Sequence, residues 1–370
     1  MAKTAAIESD EWRVIETLLP DGWKEKAREL GAFRRARYMK GPEQLLRLLL
    51  LHATGGSLKQ SAAQAKASGV VEKMSAPALL ERMQKSTEWL RWIASKLCDP
   101  FRERPVLPDG LRPRAVDSTT IEGPGNTTTE WRLHYALDLL TLSCDWHQLT
   151  DAKGAESLAR TPVRPGDVLL GDRNYLLANP VRGVVAAGAH VLVRMRWAHP
   201  AMVDAQGNSV TALSLAKGVR ISRPCDFPVF LAAGDGPPIP GRIIAIKLPG
   251  PVTARNRKRL LQKASKKQRK ADERSLQAAG YIFLFTTLPI EVLDANHVAD
   301  LYRYRWQIEI AFKRHKQILK LGALPHTDER AAKSWILAKL VLALLLETLY
   351  RNLIAISPWG YRLDDVRLAA

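Results

Sequence analysis

Acidic side chains are in short supply in this sequence. In 370 residues, 37 Asp and Glu stand against 56 Lys and Arg, a formal net charge of +19 at pH 7 and a pI near 10.0. An excess of that size points to polyanions, either nucleic acid or an anionic membrane surface, with a merely basic globular protein still open. Cysteine is nearly absent. Cys98, Cys144 and Cys225 are spaced too widely for a zinc framework or a disulfide scaffold, and so few thiols fit a reducing cytoplasm. No phosphate-cradling glycine loop ending in Lys and Ser or Thr occurs, so no nucleotide cofactor is expected. Long apolar runs are missing too. The most apolar stretch, WILAKLVLALLL from Trp335 to Leu346, is interrupted by Lys339, is too short to span a bilayer and reads as a core helix. The opening residues MAKTAAIESDEW contain no apolar signal segment, so a cytoplasmic protein with no membrane partner is expected.

What is present is ordinary globular material, 46% hydrophobic and 25% charged, with length enough for two or three domains. Residues 1–105 read as helical. Gly41 to His52 has Pro just inside a helix start. Ser57 caps a helix, Gly69 turns the chain and Ser75 caps a second helix from Ala76 to Met83, a pattern read either as a DNA-binding helix-turn-helix or as plain packing. From Arg114 the period changes, with strands at Arg114 to Ile121, Trp131 to Leu140, Thr141 to Thr150 and Asp167 to Asp172, a helix at Asn174 to Ala187 and a strand at His190 to Arg194. Residues 106–196 are therefore expected to form a mixed α/β sheet. Residues 197–290, rich in Gly and Pro with short apolar runs, read as an inserted, mainly β subdomain. Within it, Arg255 to Lys270 carries nine basic residues and no acid, either a phosphate-binding surface or a solvated helix face. Asp294 caps a helix expected to run to about Leu321 within a segment 291–330, and residues 331–370 form a C-terminal helical region.

Metal-assisted phosphoryl transfer requires acidic oxygens converging from different segments. Asp117 lies in an uncharged β-branched run, and Asp172 ends the apolar run Val168-Leu169-Leu170. A carboxylate in such a place is costly unless it is paired or binds metal, although a lone one also serves as a cap or ion-pair partner. In LYRYRWQIEIAFKRHKQILK, Tyr302, Arg305, Glu309, Lys313 and Lys316 fall within an arc of roughly 80° on an ideal helix. Leu301, Tyr304, Ile308, Ala311, Ile318 and Leu319 supply the opposite, apolar stripe. A solvated face with ion pairs such as Glu309 to Lys313 is the alternative. His134 and His147 sit in strands with no partner at metal-ligand spacing and read as structural.

The pattern Tyr302-x2-Arg305-x3-Glu309-x6-Lys316 resembles the Y-x2-R-x3-E-x6-K signature of bacterial insertion-sequence transposases of the DDE type. Asp117 in a first strand, Asp172 at a strand end and a β-rich stretch before the glutamate helix follow the order of that family. The resemblance implies an α/β fold, an RNase H-like mixed sheet core with an inserted mainly β subdomain and a helical N-terminal domain. It implies that Asp117, Asp172 and Glu309 are the catalytic triad and hold two Mg²⁺ ions, for which Mn²⁺ can substitute. It implies phosphate contacts by Tyr302, Arg305 and Lys316, to which Lys313 is added. Trp306 matches an aromatic position that stacks on a terminal base or packs in the core, Tyr281 is the nearest match to an aromatic pocket residue, Arg194 matches a position near the active site or DNA, and His134 a histidine the family often keeps. The implied partners are double-stranded DNA, as transposon ends and target, and a second copy of the chain in a homodimer on a nucleoid-associated complex. A transposase-derived DNA-binding protein or inhibitor without activity, and an RNase H-like nuclease without strand transfer, are the competing readings. The intact triad argues against the first, and the helical N-terminal segment against the second.

Overall fold

The computed structural model describes residues 12–36, 39–98, 107, 110–125, 129–221, 223–232, 236–317, 320–322 and 324–356, with the main chain alone for 350–356. Ile318 and Leu319 of the expected apolar stripe, and the first eleven residues, lie outside it. The helices α1 (Trp23–Glu29), α2 (Pro42–Thr54), α3 (Leu58–Ala67) and α4 (Ala76–Leu97) come first. The strands β1 (Arg112–Glu122), β2 (Thr129–Asp138), β3 (Ser143–Asp151) and β4 (Asp167–Gly171) follow, then α5 (Ala178–Ala186), β5 (His190–Arg194), β6 (Met202–Val203) and β7 (Ser209–Val210). After α6 (Ala212–Leu215) come β8 (Cys225–Leu231), β9 (Ile239–Lys247), α7 (Gly250–Lys266), α8 (Glu273–Ala278) and β10 (Tyr281–Thr286). The described chain closes with α9 (Ala295–Arg303), α10 (Trp306–Gln317) and α11 (Glu329–Ile356).

Local chemistry accounts for the helix starts. Pro42 occupies the first turn of α2 behind an extended Gly41, and Ser57 forms a reciprocal capping box with Gln60 at α3. Ser75 caps α4 by accepting from the Ala78 amide at 3.3 Å. The helix does not stop at Met83. It runs to Leu97, because no Gly or Pro intervenes and the buried stripe Leu79, Met83, Leu90, Ile93 continues past that point. That stripe packs into one core with α2 and α11, where Ser334 Oγ bonds Thr87 Oγ1 at 2.9 Å. The outward face of α4 carries paired charges of both signs, Glu81 with Lys85 and Glu88 with Arg91. Most of the second helix of the expected helix-turn-helix is therefore committed to packing.

A single ten-stranded sheet runs in the order β3-β2-β1-β4-β5-β10-β9-β8-β6-β7. β1, β2 and β3 pair antiparallel, β1, β4 and β5 pair parallel, and β10 inserts antiparallel between β5 and β9. The β strands of residues 197–290 thus extend the first sheet through β10, and among the described residues they build no sheet of their own. In the first part of the sheet, a buried charge cluster ties three strands together. Arg114 of β1 donates to Asp145 of β3 at 2.6 and 2.9 Å, to Asp167 of β4 at 2.9 Å and to the Pro162 carbonyl at 2.7 Å. All three charged side chains are at most 2% exposed, so their mutual hydrogen bonds offset the loss of water.

Candidate active site

Strand register brings the two aspartates together. β1 and β4 pair in parallel with Ala115 beside Leu170. The same offset continued two residues carries Asp117 to Asp172, on neighbouring strands whose usual separation is about 4.8 Å. β4 and β5 pair with Gly171 beside Val193, which in the same way sets Arg194 beside Asp172. Two acids and a guanidinium therefore form a row across three neighbouring parallel strands, Asp117 in the middle of β1, Asp172 just past β4 and Arg194 at the end of β5. Alternation decides the face. Asp117 pairs with Tyr135 of β2, and the Tyr135 ring meets Phe312 and His315 of α10 at centroid distances of 5.7 and 5.4 Å. Asp117 thus points to the side of the sheet that the glutamate helix covers.

The glutamate helix is not the continuous cylinder expected from the sequence. It breaks at Tyr304-Arg305 into α9 and α10, with three-residue turn bonds from the Arg305 amide to the Tyr302 carbonyl at 3.1 Å and from the Gln307 amide to the Tyr304 carbonyl at 3.0 Å. The two halves pack on different ground. α9 buries Val298 with Leu170 of β4, Leu192 of β5 and Leu284 of β10, whereas α10 buries Ile308, Ala311 and Phe312 over β1 and β2. The common helical arc of five polar residues therefore does not survive as a rigid face, and Tyr304, placed on the apolar stripe, is 40% exposed. The break hangs over the two aspartates.

Arg305 fills the space between the acids. Its guanidinium pairs with Glu309 and lies 3.8 Å from Asp117, so the expected Glu309 to Lys313 pair is replaced by one from the other direction. Tyr302 donates its hydroxyl to the carbonyl of Gly171, the residue before Asp172, at 3.1 Å. Asp117 is largely buried. Burial chiefly, and then the charges of Asp172 and Glu156, push its carboxyl up to about 6, against the Ser118 amide and Arg305, which pull it down. Arg194 is held below the usual guanidinium value by burial first, and then by the nearby cations Arg173 and Arg305.

Comparison with known proteins identifies the family. Residues 108–346, nearly two thirds of the chain, match the family model described as the transposase DDE domain. The chain belongs to the transposase DDE domain family. Its similarity to a putative transposase, InsL, of insertion sequence element IS186A from Escherichia coli K12 is 32% identity over 94% of this chain and 96% of that one. A transposase of insertion sequence element IS421 from Escherichia coli gives the same identity and the same coverage. Among solved structures, a piggyBac transposase synaptic complex with hairpin DNA has a TM-score of 0.48 at 8% identity, covering 93% of this chain and 73% of that chain.

As a DDE transposase, the chain is a metal-dependent enzyme, and its acids fit that chemistry in kind. Asp117, Asp172 and Glu309 offer only carboxylate oxygens, the donors that hard divalent cations take. The burial that raises Asp117, with the neighbouring charges of Asp172 and Glu156, is what a cation would offset. Their oxygens do not all come within 4.8 Å of one another, as the metal-type group of Cys98, Cys144 and His147 does, because Arg305 stands between Glu309 and Asp117.

The other expected residues divide. Trp306 is 49% exposed, and Lys313 and Lys316 are exposed on α10, open to a ligand. Tyr281 is not brought to the acids. It stacks on Phe283 at 5.6 Å and lines a cavity of about 580 Å³ with Trp197, Lys217, Lys247, Arg257 and Arg274. His134 is buried and bonded to Thr150 Oγ1 at 3.0 Å. Sequence reasoning missed Glu156. Its carboxylate accepts from Ser118 Oγ at 2.8 Å, Asn174 Nδ2 at 3.1 Å and Arg132 Nη1 at 3.2 Å, which links the two strand ends that carry Asp117 and Asp172. Glu156 lies in a loop with no periodic neighbour to flag it, so only the fold reveals its place.

Proposed function

We propose that this chain is the transposase of an insertion sequence, that it binds the terminal inverted repeats of that element, and that it cuts there and joins the freed 3′ ends to target DNA in a cut-and-paste reaction. What supports this reading is that strand register carries Asp117 and Asp172 onto neighbouring positions of two parallel strands while Arg305, at the break in the helix, pairs with Glu309 and lies 3.8 Å from Asp117. The strand order β3-β2-β1-β4-β5, antiparallel then parallel, supports an RNase H-like core built from residues 106–196 and 291–330. We assign DNA contact to the helical residues 1–105 and the segment 197–290, and a packing role to residues 331–370.

The triad would hold two Mg²⁺ ions, with Mn²⁺ able to substitute, and such ions supply an activated water and charge stabilisation at the scissile phosphate. The chain's own residues do the rest. Arg305 neutralises Asp117 and Glu309 in the free protein and is placed to exchange them for a DNA phosphate. Lys313 and Lys316 line the same helix for further phosphate contact, Arg194 stands beside Asp172, and exposed Trp306 is free to stack on a terminal base. Tyr302 holds the helix break to the strand end through Gly171. α7, with its exposed cations, gives the insertion a sequence-independent grip on DNA. Because two ends must be joined together, we propose a homodimer on the DNA, working in the cytoplasm on the nucleoid. Among the described residues no helix is long and apolar enough to cross a membrane.

The test is incubation of the full chain with labelled DNA carrying the element's inverted repeats, an unlabelled target plasmid and Mg²⁺. Cut ends followed by joined product are expected. Binding without cutting would identify an inactive derivative, and cutting without joining a nuclease.

A further inference from the structure

Two cysteines and a histidine that are far apart in sequence meet in space. Cys98 is the C-cap of α4, while Cys144 and His147 lie on β3. In a regular strand, residues three apart face opposite sides. Here the β2–β3 register shifts. Leu137 pairs with Cys144, Ala136 with Trp146 and Tyr135 with His147, so Asp145 is an extra residue and the alternation resets around it. Leu137 and Tyr135 both belong to the core that includes α4, and so Cys144 and His147 both face the end of that helix. Asp145 points the other way, to Arg114.

The resulting spacings are those of a tetrahedral metal shell. Cys98 Sγ lies 3.4 Å from Cys144 Sγ and 3.4 Å from His147 Nδ1, and the three donor atoms all lie within 4.8 Å of one another. Zinc bonds of about 2.3 Å to sulfur and about 2.05 Å to nitrogen, at tetrahedral angles, give edges of ~3.8 Å between sulfurs and ~3.6 Å from sulfur to nitrogen. Cys98 and Cys144 are 2% and 3% exposed, and His147 is half-buried.

We propose that Cys98, Cys144 and His147 form a soft-metal site that binds one Zn²⁺ per chain, sharing no residue with the carboxylate triad. Both thiols give up their protons to solvent, and His147 ligates as neutral imidazole through Nδ1. The metal would fasten the end of the N-terminal helices to β3, the outer strand at that end of the sheet.

The full chain, prepared under reducing conditions with zinc and then dialysed free of loosely held metal, is assayed for zinc by mass spectrometry. One zinc per chain is expected, unchanged in Cys225→Ser and near zero in Cys144→Ser and His147→Gln. Co²⁺ added to the reduced, metal-free chain without substitution should give a thiolate charge-transfer band, so a variant that fails to fold does not blur the result. No retained zinc and no such band would overturn the proposal, as would full zinc retention in Cys144→Ser. A Cys98–Cys144 disulfide in chain prepared without reductant, with no cobalt band from the reduced form, would also overturn it and mark a redox pair instead.

Discussion

Replacing Tyr302 by Phe removes one hydroxyl and leaves the ring packed where it is. That hydroxyl donates to the Gly171 carbonyl at 3.1 Å and so ties the helix break to the residue preceding Asp172. A neutral hydrogen bond of this kind contributes about 0.5–1.5 kcal/mol net. If that energy serves to hold the glutamate helix over the two aspartates, its loss slows cleavage by about 2- to 12-fold at ~1.4 kcal/mol per decade. The assay is single-turnover cutting of a labelled terminal repeat, with DNA affinity measured separately by titration in Ca²⁺. The expected outcome is a slower cutting step in the bound complex with affinity unchanged within about twofold. Weakened affinity with an unchanged cutting rate would refute the reasoning, because it would show that the hydroxyl contacts a DNA phosphate before reaction and does not position the helix.

Arg114→Met removes a buried guanidinium that bonds both Asp145 and Asp167, of which Asp167 keeps Arg112, whose Nε lies 2.7 Å away; a stability loss of about 3–5 kcal/mol in urea unfolding is expected, and a loss below ~1 kcal/mol would contradict the buried network. His52, His134 and His315 are held by burial to about 4, well under the ordinary histidine value. The unfolded chain therefore binds more protons than the folded one between about pH 6.5 and 4, and stability falls as pH drops through that window, by up to about 1.4 kcal/mol per pH unit for each histidine; urea midpoints that stay flat from pH 7 to 5 would count against it. Changing Arg255, Lys258 and Arg259 of α7 together to Gln should flatten the dependence of log affinity on log salt by up to about 0.9 for each phosphate that these side chains neutralise. An unchanged slope would remove α7 from the DNA surface.

Much of this was legible from local signals. Ser57 and Ser75 as caps, Pro42 at a helix start and the switch to β-branched alternation after Arg114 each name an element through chemistry confined to a few residues. Asp117 and Asp172 stood out as candidates because an isolated acid in an uncharged or apolar run is conspicuous, and Glu309 because it matches the glutamate of the family signature. What stayed hidden depends on partners distant in sequence. Periodicity alone gave no reason for a helix to break at Tyr304-Arg305, since the cause is that α9 and α10 pack on different strands. Glu156 was invisible for the same reason, and so was the meeting of Cys98 with Cys144 and His147, which needs both a helix end and a one-residue bulge. Tyr281 shows the converse: a family position matched by nearness in sequence, which the fold places against Phe283 and a separate cavity.

The central claim is that three carboxylates from separate segments act as one metal-dependent centre. The most direct measurement is the single-turnover cutting rate of a labelled terminal repeat by Asp117→Asn, Asp172→Asn and Glu309→Gln, in Mg²⁺ and in Mn²⁺, beside their DNA affinities. Each substitution should slow cutting by on the order of 10³-fold or more, through loss of several kcal/mol of charge stabilisation, while the chain still binds the repeat. Any one of the three variants cutting at the unsubstituted rate would contradict the account.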